Sequence, residues 1–124
     1  MSLILDAGAL IAVERDDRDT AAIIEVARRE HRVVVVPAGV VGQVWRGGRR
    51  QARLARLLNA RGVIVEPLTD TVARAAGVLC GATGTTDVVD ASVVIAARRH
   101  RATVISSDRV DLQVLDPRIP VVDC

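Results

Sequence analysis

The 124-residue sequence contains no phenylalanine, tyrosine or lysine, and Trp45 is its only aromatic residue. Half of the residues are nevertheless hydrophobic, so the core has to be built from Val, Ile, Leu and Ala. A chain of this length favours one core, and we expect a single domain over residues 1–124. Runs of Val beside Ala-rich stretches are typical of buried parallel strands that alternate with helices.

Other absences exclude further classes of protein. No apolar run approaches the roughly 20 residues that span a bilayer, and no basic start with a cleavage site marks a signal peptide. We therefore expect a cytoplasmic protein without a membrane partner. Cys80 and Cys124 match no metal-binding spacing and are expected to be a buried small residue and an incidental thiol. A net charge of +2 is too small to attract nucleic acid to the whole surface, although all 17 basic residues are Arg.

The hydrophobic pattern predicts an α/β fold, a three-layer α/β/α domain with a mainly parallel central sheet. The predicted strands cover residues 2–6, 33–36, 63–66, 103–106 and 120–122. The predicted helices cover residues 7–13, 20–30, 38–45, 49–59, 70–79 and 87–99, with a helical turn at 108–115. We expect residues 81–86, which contain two glycines, to form a flexible connection.

Four acidic residues lie where such a fold would gather them. Asp6 and Asp108 each end an apolar run, and Asp87 and Asp90 open an amphipathic helix. Ligands of an open α/β sheet bind outside the carboxyl ends of its strands. Because uncompensated acids repel one another, such a cluster usually holds a hard cation such as Mg²⁺ or Mn²⁺. Each acid could instead cap a helix, and for Asp87 the two interpretations are equally good.

Three segments resemble motifs of PIN-domain ribonucleases: residues 3–12, 87–97 and 104–108. Their order over this short chain resembles a VapC-type toxin of a toxin–antitoxin pair. The resemblance implies a PIN-like fold and an endoribonuclease that uses Mg²⁺ or Mn²⁺ held by Asp6, Asp90 and Asp108. It implies cleavage of RNA by a metal-activated water, leaving a 5′-phosphate and a 3′-hydroxyl. It also implies a VapB-type antitoxin that holds the enzyme inactive.

The sequence departs from the family pattern at two positions. Gln43 occupies the slot in which the family usually has a Glu, so we count Gln43 as a candidate catalytic residue and Asp87 as a possible substitute acid. Gly8 stands where the family often has Ser or Thr. These departures leave an alternative function open, a catalytically weak PIN-like module that binds RNA or protein.

Two unrelated phosphate-handling folds also place acids at strand ends. A receiver domain requires a lysine beside its acids, and this chain has none. A phosphatase of the haloacid-dehalogenase type requires Asp-x-Asp at the first strand, where this chain has Asp6 followed by Ala7 and Gly8. Both alternatives are therefore excluded.

Two surface patterns point to partners. Arginines at helical spacing between residues 46 and 56 could follow a phosphate backbone or form an ordinary solvated face. Apolar residues on two neighbouring helices exceed what one sheet face should need, which predicts a homodimer contact or an antitoxin groove. These residues are Val40, Val41, Val44, Trp45, Leu54, Leu57 and Leu58.

Overall fold

A computed structural model describes residues 2–124, which form five strands and seven α-helices. The strands are β1 (Leu3–Leu5), β2 (Val34–Pro37), β3 (Val63–Glu66), β4 (Thr103–Ser106) and β5 (Val121–Asp123). The helices are α1 (Ala7–Glu14), α2 (Arg18–Arg29), α3 (Ala38–Val44), α4 (Ala52–Leu58), α5 (Asp70–Thr83), α6 (Val88–His100) and α7 (Arg109–Leu115). A single 3₁₀ turn, Arg49–Gln51, precedes α4.

The five strands form one all-parallel sheet in the order β3-β2-β1-β4-β5. The chain runs outward from β1 through β2 to β3 and then returns to place β4 on the other side of β1. The strand order therefore reverses between β1 and β4, which is the position where α/β sheets form their ligand crevice.

The helices complete the layers on the two faces of this sheet. Helix α6 contacts β1, β2 and β4, and it also packs against α5 and α7. Helix α1 contacts β1 and β4, and it packs against α2, α3 and α4. Strands β1 and β2 are buried along their whole length, as expected for a parallel sheet covered on both faces. The predicted α/β/α fold is confirmed.

One predicted connection is wrong. Helix α5 does not end near Leu79 but continues to Thr83, so only the second half of residues 81–86 lies outside a helix. Cys80 is buried on this extension, and the Thr83 hydroxyl donates to the Leu79 carbonyl at 2.8 Å. Gly84, with a left-handed φ of 69°, ends the helix.

Most of the apolar residues of α3 and α4 that we expected at the surface are buried. Val40, Val44, Leu54 and Leu57 are all buried in the core. Trp45, which follows α3, is 40% exposed. Most of the residues that we expected at an interface are therefore buried in the core of this small domain.

None of the helices between residues 2 and 124 is by itself long and apolar enough to cross a membrane. Within the same described residues, α5 and α6 taken together have the necessary length and composition, and they are bent by 108° relative to each other.

Candidate active site

Asp6 lies at the carboxyl end of β1, beside the end of β4. Leu5 pairs with Ile105, and the Asp6 N–H donates to the Ile105 carbonyl at 3.1 Å. The Asp6 carboxylate is almost fully buried, accepting from the Ser106 hydroxyl at 2.7 Å and from the Ala7 N–H at 2.8 Å. The bond to Ala7 caps α1, so Asp6 has the capping contact that a simple interpretation predicted. The other carboxylate oxygen of Asp6 is held by the hydroxyl of Ser106, at the end of β4.

Ser106 connects Asp6 to Asp108. Its fully buried hydroxyl donates to Asp6 and accepts from the Asp108 N–H at 2.8 Å. The Asp108 carboxylate is exposed and makes no capping bond to α7, although Asp108 occupies the N-cap position. Ser106 was not among the predicted site residues. Its one signal in the sequence is a small hydroxyl at the end of a buried strand, which must find a partner when it is buried.

Asp87 and Asp90 lie at the start of α6. One oxygen of Asp87 accepts from the Asp90 N–H at 2.9 Å, so Asp87 is the N-cap of this helix. Asp87 is exposed and Asp90 is partly buried. Both line a pocket of about 320 Å³ together with Asp111 from α7. Capping occupies one oxygen of Asp87 and leaves the other available.

Asp90 carries the clearest electrostatic signature. Its pKa is raised to about 7, chiefly because partial burial penalises the charged carboxylate. Repulsion from Asp87, Asp6, Asp108 and Asp111 raises it further, in that order. The structure therefore brings the other three predicted acids within electrostatic reach of Asp90, together with Asp111.

The pKa of Asp6 is also raised, and burial is again the largest cause. The hydrogen bonds from Ser106 and Ala7 oppose this shift, whereas repulsion from Asp108 and Asp87 adds to it. Asp6 is thus a buried carboxyl whose charge the protein compensates only in part.

The five carboxylates have no cationic partner within residues 2–124: no Arg or His forms an ion pair with any of them. In this conformation, no three Asp, Glu, His or Cys side chains of the described chain are close enough to enclose a metal ion. The donors themselves suit a hard divalent cation, which prefers carboxylate oxygens and would offset their mutual repulsion.

Gln43 is placed differently from the acids. It is exposed on α3, and its side chain makes no hydrogen bond to any of the five carboxylates. It lines a separate pocket of about 620 Å³, which also contains Arg15, Arg46, Arg49 and Arg50.

The departure at Gly8 has a steric cause. A Cβ atom at this position would lie 2.3 Å from the Ser107 hydroxyl oxygen and 2.9 Å from the Ser107 backbone nitrogen. The end of β4 therefore approaches α1 too closely for a Ser or Thr side chain unless Ser107 moves. In this chain, Ser107 occupies the space that a side chain at position 8 would fill.

Comparisons with known proteins agree with this geometry. The family model of the PIN domain matches residues 3–116. A search of curated proteins finds no significant match.

Three solved structures have a similar fold. A chain of VapBC2 from Rickettsia felis, bound to a promoter DNA fragment, has a TM-score of 0.73 at 12% identity, covering 100% of this chain and 99% of that one. FitAB bound to an IR36 DNA fragment has a TM-score of 0.65 at 15% identity, with coverages of 98% and 94%. FitAcB from Neisseria gonorrhoeae has a TM-score of 0.62 at 18% identity, with coverages of 96% and 95%.

At these identities the three structures show the fold alone, whereas the family model rests on the sequence of nearly the whole chain. PIN domains are generally nucleases. Because the match extends from β1 to the end of α7, this chain belongs to the PIN domain family.

Proposed function

We propose that this protein is an Mg²⁺- or Mn²⁺-dependent endoribonuclease of the VapC type. The observation that carries the proposal is the group of five carboxylates at the reversal of strand order, with no arginine or histidine of residues 2–124 paired to them. A metal-dependent nuclease needs such a site, because a divalent cation neutralises the charge that develops on a phosphate during hydrolysis.

In this proposal Asp6, Asp90 and Asp108 hold the cation. A bound Mg²⁺ or Mn²⁺ would lower the pKa of a water molecule and polarise a phosphate oxygen. Ser106 orients Asp6 and positions the backbone of Asp108, so one buried hydroxyl aligns two of the three acids. The Asp108 carboxylate is exposed and makes no capping bond to its own helix.

Asp87 and Asp111 have supporting roles in the same proposal. Both repel a negative charge on Asp90, and both line its pocket. A cation at the site would relieve this repulsion. Asp87 also keeps α6 capped, so it sets the direction from which Asp90 enters the site. No protein nucleophile is required.

The test compares RNA cleavage by wild type, Asp6→Asn, Asp90→Asn and Asp108→Asn, with Mg²⁺ or Mn²⁺ and with chelator. Each substitution keeps the side-chain size and removes the charge, and we expect it to lower the cleavage rate by about a hundredfold or more. Asp70→Asn is the matched control, because Asp70 lies on the surface of α5 and pairs with Arg74. Wild-type rates in Asp90→Asn would show that the metal assignment is wrong.

One observation favours a second candidate, a PIN-like module that binds RNA or protein with little cleavage. Gln43 lies among arginines and adds no charge to the acids. If this candidate is right, wild type will bind RNA but cleave it hardly at all, and Gln43→Glu will increase the rate in Mn²⁺. Efficient cleavage by wild type would exclude it.

We also propose that an antitoxin restrains the nuclease. The similar structures are VapBC2, FitAB and FitAcB complexes, two of them bound to DNA. A nuclease free in its host would degrade host RNA, so an inhibitor is needed.

A further inference from the structure

A basic pocket lies beside α1, separate from the carboxylates. It has a volume of about 620 Å³ and is lined by Arg15, which follows α1, and by Arg46, Arg49 and Arg50 between α3 and α4. We refer to it as the arginine pocket. Glu14 is its only acidic lining residue. Four positive charges against one negative charge favour an anionic ligand.

The charges of this pocket are not neutralised by the protein. No carboxylate of residues 2–124 forms an ion pair with any of its four arginines. Elsewhere eight arginines are paired with acids: Arg28, Arg29, Arg32, Arg53, Arg74, Arg98, Arg99 and Arg109. Nine arginines of residues 2–124 form no ion pair, and four of these nine line this one pocket.

A buried glutamine holds the wall of the pocket in place. Gln51 is only 5% exposed, and its carbonyl oxygen accepts from the N–H groups of Arg46 and Gly47 at 2.8 and 3.1 Å. Its amide nitrogen donates to the Val44 carbonyl at 2.8 Å. These bonds fix the backbone between α3 and α4. The loop that presents the arginines is thus preorganised, which reduces the entropic cost of binding.

Arg46 is held at its side chain as well. Its guanidinium donates to the carbonyls of Trp45 at 2.8 Å, Gln43 at 3.1 Å and Gly42 at 3.3 Å. Backbone carbonyls orient a guanidinium without cancelling its charge. Arg46 is therefore an ordered cation at the edge of the pocket.

The arginine pocket adjoins a second pocket, which extends towards the end of β4. Ile11 and Arg15 line both pockets, and the second, of about 810 Å³, reaches Gly8 and Ser107. Its outer part is lined by Asp16, Asp17, Arg18 and Asp19. Ser107 directly precedes Asp108. The length of α1 separates Asp6 from Arg15, about 13 Å along the helix axis. This span corresponds to a few nucleotides of a strand.

We propose that the arginine pocket binds backbone phosphates of the RNA strand, a few nucleotides from the phosphate that the carboxylates act on. The inference rests on the proposed ribonuclease function and assigns a second subsite to it. Arg binds phosphate through two parallel hydrogen bonds, which suits the guanidinium groups of Arg15, Arg49 and Arg50, while Arg46 adds a fixed positive charge. The contacts are to phosphates and carry no base preference.

The test measures binding without cleavage. Fluorescein-labelled single-stranded RNAs of three and twelve nucleotides are titrated in EDTA and followed by fluorescence anisotropy. The variant is Arg49→Gln/Arg50→Gln. The control is Arg61→Gln/Arg118→Gln, which removes the same charge from residues that precede β3 and β5, at the amino ends of these two outer strands.

We expect the pocket variant to bind the twelve-nucleotide RNA roughly tenfold or more weakly than the control does. The slope of log affinity against log salt should fall by about 0.7 for each phosphate that the variant no longer neutralises. The three-nucleotide RNA should bind more weakly overall but show the same dependence on Arg49 and Arg50, because in EDTA the uncompensated carboxylates repel phosphate and the arginine pocket is the subsite that remains. Matching thermal melts of the two variants show that folding is intact.

Equal affinity of the two variants for the long RNA would overturn the inference. So would a polyglutamate peptide that binds as tightly as the RNA with the same dependence on Arg49 and Arg50, because the pocket would then serve an acidic protein partner. If wild type binds RNA through these arginines but cleaves none, the subsite stands and the proposed nuclease function fails. If wild type cleaves RNA and the arginines do not affect binding, the subsite alone fails.

Discussion

At the scale of single residues, the central feature is a buried carboxyl held by one serine. Asp6 is oriented by the Ser106 hydroxyl and by the first N–H of α1, and the same hydroxyl holds the backbone of Asp108. The Asp90 carboxylate accepts no comparable hydrogen bond within the described chain, and repulsion from the neighbouring carboxylates raises its pKa. A group that is costly to ionise in the free protein is well suited to a site that a cation completes.

Replacing Asp90 by Asn should raise the melting temperature of the metal-free protein at pH 7.5. The native pKa of Asp90 is about 7, above an unfolded value of about 3.9. The folded state therefore binds the proton more tightly, and the stability that this provides is full below about pH 4 and is lost as the pH rises to 7. Asn avoids this loss because it never ionises.

Thermal melts in EDTA from pH 4 to pH 8 check this prediction. The advantage of Asp90→Asn over wild type should be greatest near pH 8 and vanish near pH 4, while the Asp70→Asn control shows no such trend. Saturating Mn²⁺ should reduce the advantage, because a cation removes the repulsion in wild type. A clear drop in the melting temperature of Asp90→Asn at pH 7.5 would instead identify Asp90 as a structural residue of α6.

At the scale of elements, the segment between α3 and α4 depends on the side chain of Gln51. A 3₁₀ turn separates the two helices, and three backbone groups of α3 and the following loop are satisfied by this one amide. Local sequence pattern cannot reveal such a contact, since Gln is an ordinary surface residue of helices. The segment between α3 and α4 is therefore held by the Gln51 side chain, which faces the protein interior.

Gln51→Ala should lower the free energy of unfolding by about 1–3 kcal/mol, because it leaves two partly buried backbone donors and the Val44 carbonyl without their partner. Urea denaturation at pH 7.5 measures the change. Arg50→Gln is the matched neighbour control, and as an exposed substitution it should stay within about 0.5 kcal/mol of wild type. If Gln51→Ala is as stable as wild type, water or the backbone satisfies these groups and the loop does not depend on Gln51.

At the scale of the whole molecule, the small core limits the surface left for partners. Most of the valines and leucines of α3 and α4 are buried. Trp45, the large hydrophobic residue that follows α3, is 40% exposed. Aromatic side chains at such positions often dominate interfaces, because they bury a large area at low entropic cost.

We predict that the protein co-purifies with a small co-expressed antitoxin and that Trp45→Ala weakens this complex or a homodimer. Pull-down and light scattering measure the two associations, and Kd should rise by about tenfold or more if Trp45 is an anchor. Val78→Ala is the control, because Val78 is an apolar residue on α5 that is 74% exposed. Unchanged dimerisation and unchanged antitoxin binding in folded Trp45→Ala would remove Trp45 from both interfaces.

The fold follows closely from the sequence, because strands and helices leave periodic patterns that depend only on neighbouring residues. All five strands and the helices between them lie within a few residues of their predicted positions. The error at α5 arose because the glycines at positions 81 and 84 resemble a break, whereas burial of Cys80 favours continuing the helix. Asp6 and Asp108 each end an apolar run, so the local pattern was also sufficient to place both at the carboxyl ends of parallel strands.

Only the tertiary structure decided which side chains meet. Asp6 and Ser106 are 100 positions apart and form their hydrogen bond because β1 and β4 become neighbours in the sheet. The same packing placed Gln43 among arginines, filled the space beside Gly8 with Ser107, and turned Gln51 inward. The sequence by itself determined the α/β fold and the strand ends at which acids stand. The partners of each polar group were decided by long-range strand pairing, which no local pattern records.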